Sequence, residues 1–136
     1  MSDAEDVKTL IKLLVEIGNE YKDEILSMFE EDISKYTLAL IVVDADEQFG
    51  FLLRNGRLRY VEGEEARSLM KDATVVTYMY ADYLFKIVNS DDWEKACRFG
   101  YNVGQIWFDT KDKKLMKHGK NLLKIIKKLN EIVEGK

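Results

Sequence analysis

The sequence predicts an α+β fold, in which a sheet of about five mainly antiparallel strands carries helices on one face. Three features predict it: an Asn-Gly hairpin between two apolar runs, a continuous apolar strand, and a long amphipathic helix near the C-terminal end. Strands joined mainly by hairpins, with helices elsewhere in the chain, are typical of this class. We expect residues 1–136 to form one domain, with a helical segment over 1–35 and the sheet with its helices over 36–136.

The first 35 residues carry a helical pattern. Their apolar side chains recur at steps of three and four, which places them on one face of a helix. The residues that set this spacing are Val7, Leu10, Ile11, Leu14 and Ile17. A second stretch with similar spacing follows, so the pattern predicts helices to about residue 32.

Residues 36–43 predict the centre of the sheet. The run is almost wholly apolar and ends in β-branched residues, which is typical of a strand covered on both faces. We therefore expect this strand to lie in the interior of the sheet.

Asn55 and Gly56 predict a two-residue hairpin turn. A type I′ turn needs positive φ at both central residues, and Asn-Gly is the pair that best tolerates it. Such a turn sets the register of the flanking strands and divides their side chains between two faces. One face then carries Phe49, Phe51, Leu53, Leu58 and Tyr60, and the other carries Arg54, Arg57 and Arg59.

The remaining elements follow from changes in periodicity. Residues 64–70 predict a short helix, 73–80 a strand rich in β-branched and aromatic residues, and 81–88 a helix. A further helix starts near Asp91 and is expected to end at Gly100. Residues 103–108 then predict a last strand.

A long final helix is predicted over 113–133. One stripe of this helix is apolar and the rest is crowded with lysines, so we expect it to cover a sheet face with its lysines outward. The stripe consists of Leu115, Gly119, Leu122, Ile126, Leu129 and Val133.

The order of these elements, together with three segments, resembles the sterol carrier protein 2 family. The segments are residues 40–44 with the hairpin 53–58, the strand 73–77 leading into the helix 82–88, and the helix 93–100 with the strand 103–106. The closing helix matches as well, so the resemblance covers roughly residues 36–133. The chain departs from the family at 107–110, which read Trp-Phe-Asp-Thr where a Gly-Asp pair is usual.

This resemblance implies a carrier of fatty acyl chains, sterols or other apolar ligands, bound in a tunnel between sheet and helices, with no catalytic residues and no cofactor. Apolar and aromatic side chains on the predicted faces are the candidates for lining such a site. They are Phe49, Phe51, Leu53, Tyr60, Tyr78, Tyr80, Trp107, Leu122, Ile126 and Leu129. The same residues could instead fill a solid core.

Arg54, Arg57 and Arg59 form a second candidate site. The hairpin register places Arg54 opposite Arg57, and like charges in that position are unfavourable. An anion or a ligand head group would relieve the repulsion, because guanidinium suits phosphate and carboxylate. The alternative is a solvated hairpin edge that deters aggregation.

Composition excludes several function classes. Cys97 and His118 are the only residues of their types, so neither a disulfide nor a metal-ligand spacing is available, and no catalytic motif is present. No basic, apolar leader precedes the first helix, so we expect a cytoplasmic protein. The net charge of −4 gives no general attraction to nucleic acid.

The charge is unevenly distributed along the chain. Residues 1–35 hold ten acids and four lysines, whereas residues 111–136 hold nine lysines and three acids. The simpler interpretation is two solvated helix faces of opposite charge that attract each other across the fold. The basic final helix could instead make a transient contact with an anionic membrane surface or an acidic partner. The alternative function is a protein-interaction module or dimeric scaffold without a small-molecule ligand, and the sequence leaves monomer and homodimer open.

Overall fold

The structure is a computed structural model that describes residues 3–29, 31–45 and 47–135. Its α-helices are α1 (Asp3–Glu20), α2 (Lys22–Leu26), α3 (Glu64–Asp72), α4 (Ala81–Val88), α5 (Trp93–Asn102) and α6 (Lys117–Val133). Its strands are β1 (Leu38–Val42), β2 (Phe49–Arg54), β3 (Arg57–Glu62), β4 (Val75–Met79) and β5 (Ile106–Thr110). Two 3₁₀ turns, Ile33–Lys35 and Lys113–Leu115, precede β1 and α6.

The five strands form one sheet in the order β3-β2-β1-β4-β5. Only the β1–β4 pair is parallel, and the other three pairs are antiparallel. All five residues of β1 are buried, and β1 has two strands on each side. The α+β fold with a mostly antiparallel sheet is therefore confirmed, as is the interior position of the apolar strand.

The hairpin between β2 and β3 has the predicted geometry. Asn55 has φ of 54° and Gly56 has φ of 77°, as a type I′ turn requires. Arg54 consequently pairs with Arg57 across the hairpin, and the register continues to the far end of both strands. A purely local signal thus set the pairing of twelve residues.

Helices cover both faces of the sheet, which corrects one part of the expected fold. Five helices lie on the face that carries Phe49, Phe51 and Leu53, here called the main face. The short helix α3 lies on the opposite face, where its Ala66 and Leu69 pack against Ile41 and neighbouring residues. Strand β1 has apolar side chains on both of its faces, so both faces of the sheet must be covered there.

Helix α5 corrects the role expected of Gly100. The helix continues past it to Asn102, and a Cβ at Gly100 would lie 2.6 Å from the ring of Tyr83. The glycine therefore allows α4 and α5 to approach closely. The chain turns only at Gly104, where φ is 79°, and Asp92 caps the start of the helix by accepting from the Lys95 amide at 3.1 Å.

Length and hydropathy argue against membrane-spanning helices in the described ranges. None of the helices there is both long and apolar enough to traverse a bilayer. A cytoplasmic location stays a prediction.

Candidate functional site

A groove of about 320 Å³ lies where α5, β5 and the start of α6 meet. Its walls are mostly apolar, and three cations stand among the lining residues. The lining consists of Cys97, Arg98, Tyr101 and Asn102 from α5, Phe108 from β5, and Met116, Lys117 and Lys120 beside or within α6. The volume falls at the lower end of the range usual for small-molecule sites.

The floor of the groove depends on a glycine in α6. A Cβ at Gly119 would lie 2.4 Å from the Phe108 ring and 3.0 Å from Oγ1 of Thr77, so only glycine lets this helix sit so close to the sheet. The Phe108 ring also stacks with the ring of Tyr101, and their centroids are 5.9 Å apart. The two aromatic rings thereby form part of the groove wall.

The groove borders the main hydrophobic core. Cys97 is part of the same buried cluster as Phe51 and Leu122, and Phe108 packs against that cluster. Two lining side chains of the groove, Cys97 and Phe108, are therefore in contact with the closed core between sheet and helices.

Comparison with solved structures gives the fold. A structure titled UbiJ-SCP2 Ubiquinone synthesis protein superposes with a TM-score of 0.54 at 12% identity, covering 92% of this chain and 88% of the other. Crystalline sterol carrier protein 2 gives the same TM-score at 15% identity, covering 90% and 95%. The fold is SCP2-like. No protein-family model matches the sequence, and no curated protein matches it.

The single cysteine of this SCP2-like fold is a poor nucleophile. Cys97 is buried, and burial raises its pKa to about 11, with Lys120 opposing the shift and Glu94 adding to it. At neutral pH the side chain is therefore a thiol and not a thiolate. Cys97 contributes to the groove as a small apolar group.

His118 lies in a different contact network from Cys97. Its ring is buried, its Nδ1 accepts from the amide of Asn121 at 3.1 Å, and it packs on Tyr36 with 4.6 Å between ring centroids. The Nε2 atom has no hydrogen-bond partner among the described residues and lies 3.7 Å from a carboxylate oxygen of Glu31. Glu31 also binds Lys117 at 3.0 Å.

The environment lowers the pKa of both His118 and Glu31. Desolvation lowers the pKa of His118 and outweighs the attraction of Glu31, while Lys117 and Lys35 act in the same direction as burial. The hydrogen bond from Lys117 lowers the pKa of Glu31. His118 is therefore neutral at neutral pH and the Glu31 carboxyl is charged, and their contact joins the segment after α2 to α6.

We expect the free energy of unfolding to fall as the pH drops through the range below about 6.5. The unfolded histidine takes up a proton there, whereas the buried ring, with its lowered pKa, resists it. One group of this kind changes stability by at most about 1.4 kcal/mol per pH unit. Urea unfolding at several pH values measures the change, and His118→Phe, which cannot titrate, should show a weaker dependence. The same pH dependence in both proteins would contradict this account.

Seven of the ten predicted lining residues lie on the main face. Six of them are at most 1% exposed and sit in the core between sheet and helices: Phe49, Phe51, Leu53, Leu122, Ile126 and Leu129. Tyr60 is half-buried at the edge, with its hydroxyl donating to Glu62 at 2.9 Å and Lys12 4.9 Å from its ring centroid. None of the seven lines the groove. Ligand contact by these residues stays a prediction.

The other three predicted lining residues lie on the α3 side of the sheet, apart from the seven. Tyr78 and Trp107 stack with centroids 5.4 Å apart, and Tyr80 meets the edge of the same indole. Alternation explains the separation, because Val75, Thr77 and Met79 occupy the main face of β4. The predicted set therefore does not line one common cavity.

The three arginines are brought together as expected, on the face that α3 partly covers. They line a shallow depression of about 350 Å³ together with Leu52 and the polar residues Asn19 and Asn55. Arg54 donates to Oγ1 of Thr37 at 3.2 Å, and Arg59 forms an ion pair with Glu65. An anion contact at this depression stays a prediction.

Sequence reasoning missed the groove residues Tyr101, Phe108 and Met116. The signal that could have found them is Gly119, which interrupts the apolar stripe of α6 and marks a close approach to an aromatic ring. The final helix was expected to point its lysines outward, but the amine of Lys127 donates to the carbonyl oxygens of Val88 and Ser90 at 2.7 and 3.0 Å. Within residues 3–29, 31–45 and 47–135, no three His, Cys, Asp or Glu side chains are grouped to hold a metal.

Proposed function

We propose that this chain binds a lipid or another hydrophobic ligand without chemical conversion, and that the groove between α5, β5 and α6 is where the ligand enters. The observation that carries the proposal is the open, mostly apolar groove, two of whose lining side chains, Cys97 and Phe108, pack with the core. Apolar concave sites with a few polar groups at the rim are typical of small-molecule binding. The SCP2-like fold supports it, because the fold is shared with a sterol carrier protein.

The absence of chemistry is part of the proposal. The nearest nucleophile to a bound ligand is Cys97, whose pKa of about 11 keeps it protonated. His118 could serve as its base only if the two met, but the His118 nitrogens face Asn121 and Glu31. A ligand bound in the groove therefore contacts apolar side chains along the walls and charged side chains at the rim.

Direct binding tests this function. Native mass spectrometry of purified protein, before and after organic extraction, should reveal a mass that extraction removes. The extracted protein should then bind a fluorescent fatty acid saturably at one site, with displacement by the unlabelled acid. The absence of both a co-purified mass and saturable binding would contradict the proposal. Salt-sensitive dimers in light scattering, with no ligand bound, would favour the interaction module instead.

A further inference from the structure

The hairpin of β2 and β3 uses arginine where the rest of the chain mostly uses lysine. The chain has sixteen lysines and only five arginines, yet residues 49–62 hold three arginines and no lysine. These three, Arg54, Arg57 and Arg59, are exposed and line one depression. A guanidinium presents a planar fork of donors that matches an oxyanion, whereas an ammonium is a compact point charge. The composition of the hairpin therefore favours an oxyanion ligand over simple solvation.

The register places Arg54 and Arg57 side by side. They are directly opposed across the two-residue turn, and opposed residues of a strand pair have Cβ atoms about 5 Å apart. Arg54 donates to the uncharged hydroxyl of Thr37 at 3.2 Å. Neither arginine forms an ion pair with a residue that the structure describes. Two like charges thus share one place without a counter-charge, and a bound anion would remove their repulsion.

Arg59 differs from the other two arginines, because it forms an ion pair with Glu65 of α3. Among the described residues that line the depression, none carries a carboxylate. Three arginines and the one glutamate therefore sum to +2 at this place. A phosphate monoester carries up to about two negative charges at neutral pH, whereas a carboxylate carries one. The charge of the depression matches the phosphate better.

Protection of the sheet edge does not account for this arrangement. Charged side chains on an edge strand deter pairing with other chains, and β3 is such a strand. However, Asn19 of α1 already occupies that edge: its amide donates to the Leu58 carbonyl oxygen at 2.9 Å, and its oxygen accepts from the Leu58 amide at 2.8 Å. Arg54, moreover, belongs to β2, which lies between β3 and β1.

We propose that this depression binds the phosphate group of a dianionic phosphate monoester, with Arg54 and Arg57 donating to it from opposed strands. Its volume of about 350 Å³ suffices for such a group with part of the molecule that carries it. The arginines lie on the α3 side of the sheet, whereas the groove residues Cys97 and Phe108 pack on the main face. The site is therefore separate from the groove, and the proposal does not depend on the proposed function.

Proton–nitrogen correlation NMR spectroscopy with inorganic phosphate at neutral pH tests the site. We expect saturable shifts of the Arg54 and Arg57 signals, with a dissociation constant on the order of 1 mM that rises with salt. Arg57→Gln should weaken binding at least about tenfold, because a charged hydrogen-bonding partner is lost. Arg57→Lys keeps the charge but loses the fork, so it should weaken binding roughly threefold. The matched control Arg67→Gln removes an exposed guanidinium of α3 that does not line the depression, and it should bind as the wild type does.

Two further probes distinguish the sources of the phosphate group. Glycerol 3-phosphate represents a soluble ester, and phosphatidylcholine vesicles that contain phosphatidic acid represent a phospholipid head group. Binding of either probe that Arg57→Gln weakens would support the site and name its source. Shifts that do not saturate, or equal shifts in Arg57→Gln and the wild type, would overturn the site. Acetate binding as tightly as phosphate would overturn the choice of a dianion. Failure of fatty-acid binding would contradict only the proposed function, since that assay uses another ligand on the other face of the sheet.

Discussion

Gly50→Ala is expected to destabilise the protein by about 3 kcal/mol, the largest effect we expect from a single methyl group. A Cβ at this position would lie 1.7 Å from the carbonyl oxygen of Leu40 and 3.1 Å from Cα of Ile41. Both atoms are backbone atoms of β1, which cannot rotate away as a side chain would. Relief requires β1 and β2 to separate, and β1 also holds β4 in place.

Urea unfolding followed by circular dichroism measures this loss. The matched control is Gly104→Ala, which adds the same methyl group where no atom lies within 4 Å. Its positive φ of 79° is expected to cost about 1 kcal/mol, a backbone cost that Gly50 does not share, so a larger loss in Gly50→Ala reports the clash. If Gly50→Ala cost no more than Gly104→Ala, the close approach of β2 to β1 described here would be wrong.

Met116→Trp should weaken binding of a fluorescent fatty acid at least about tenfold, which corresponds to about 1.4 kcal/mol. Met116 lines the groove, and the larger indole would occupy part of the roughly 320 Å³ available. A loss of only about 60 Å² of buried apolar surface would weaken ligand binding by this amount. The side chain is half-buried at the groove wall, so we expect little change in the stability of the fold.

Val133→Trp provides the matched control for this variant. It adds the same indole at the other end of α6, where Val133 is 41% exposed and does not line the groove. Fatty-acid binding should be unchanged there, and thermal unfolding of both variants confirms that each is folded. Unaltered affinity in Met116→Trp would show that the ligand lies elsewhere, for example among the buried residues of the main face.

Local chemistry made the strands and their register predictable. Asn55 and Gly56 are adjacent in sequence and specify a turn by their own backbone preferences, so the pairing of Arg54 with Arg57 followed without any distant information. The apolar pattern of β1 likewise indicated burial on both faces. The order of such local elements was sufficient to suggest an SCP2-like fold.

The positions of long-range neighbours were harder to predict. Considered within its own helix, Gly100 resembles a helix stop, yet it is required by the close approach of the Tyr83 ring. Gly119 resembles a neutral position in its helix, yet it is required by the close approach of the Phe108 ring. Lys127 resembles a surface lysine until the end of α4 is placed beside it. These roles depend on contacts between residues far apart in sequence.

The sequence by itself determined the α+β class, the interior strand, the hairpin register and the separation of acidic and basic segments. Backbone preferences, side-chain periodicity and charge are properties of neighbouring residues, and they suffice for those conclusions. Only the tertiary structure decided that the predicted aromatic residues divide between two sheet faces, and that the open groove lies between α5, β5 and α6. Both results follow from how strands and helices distant in the chain pack together, which periodicity within one element does not specify.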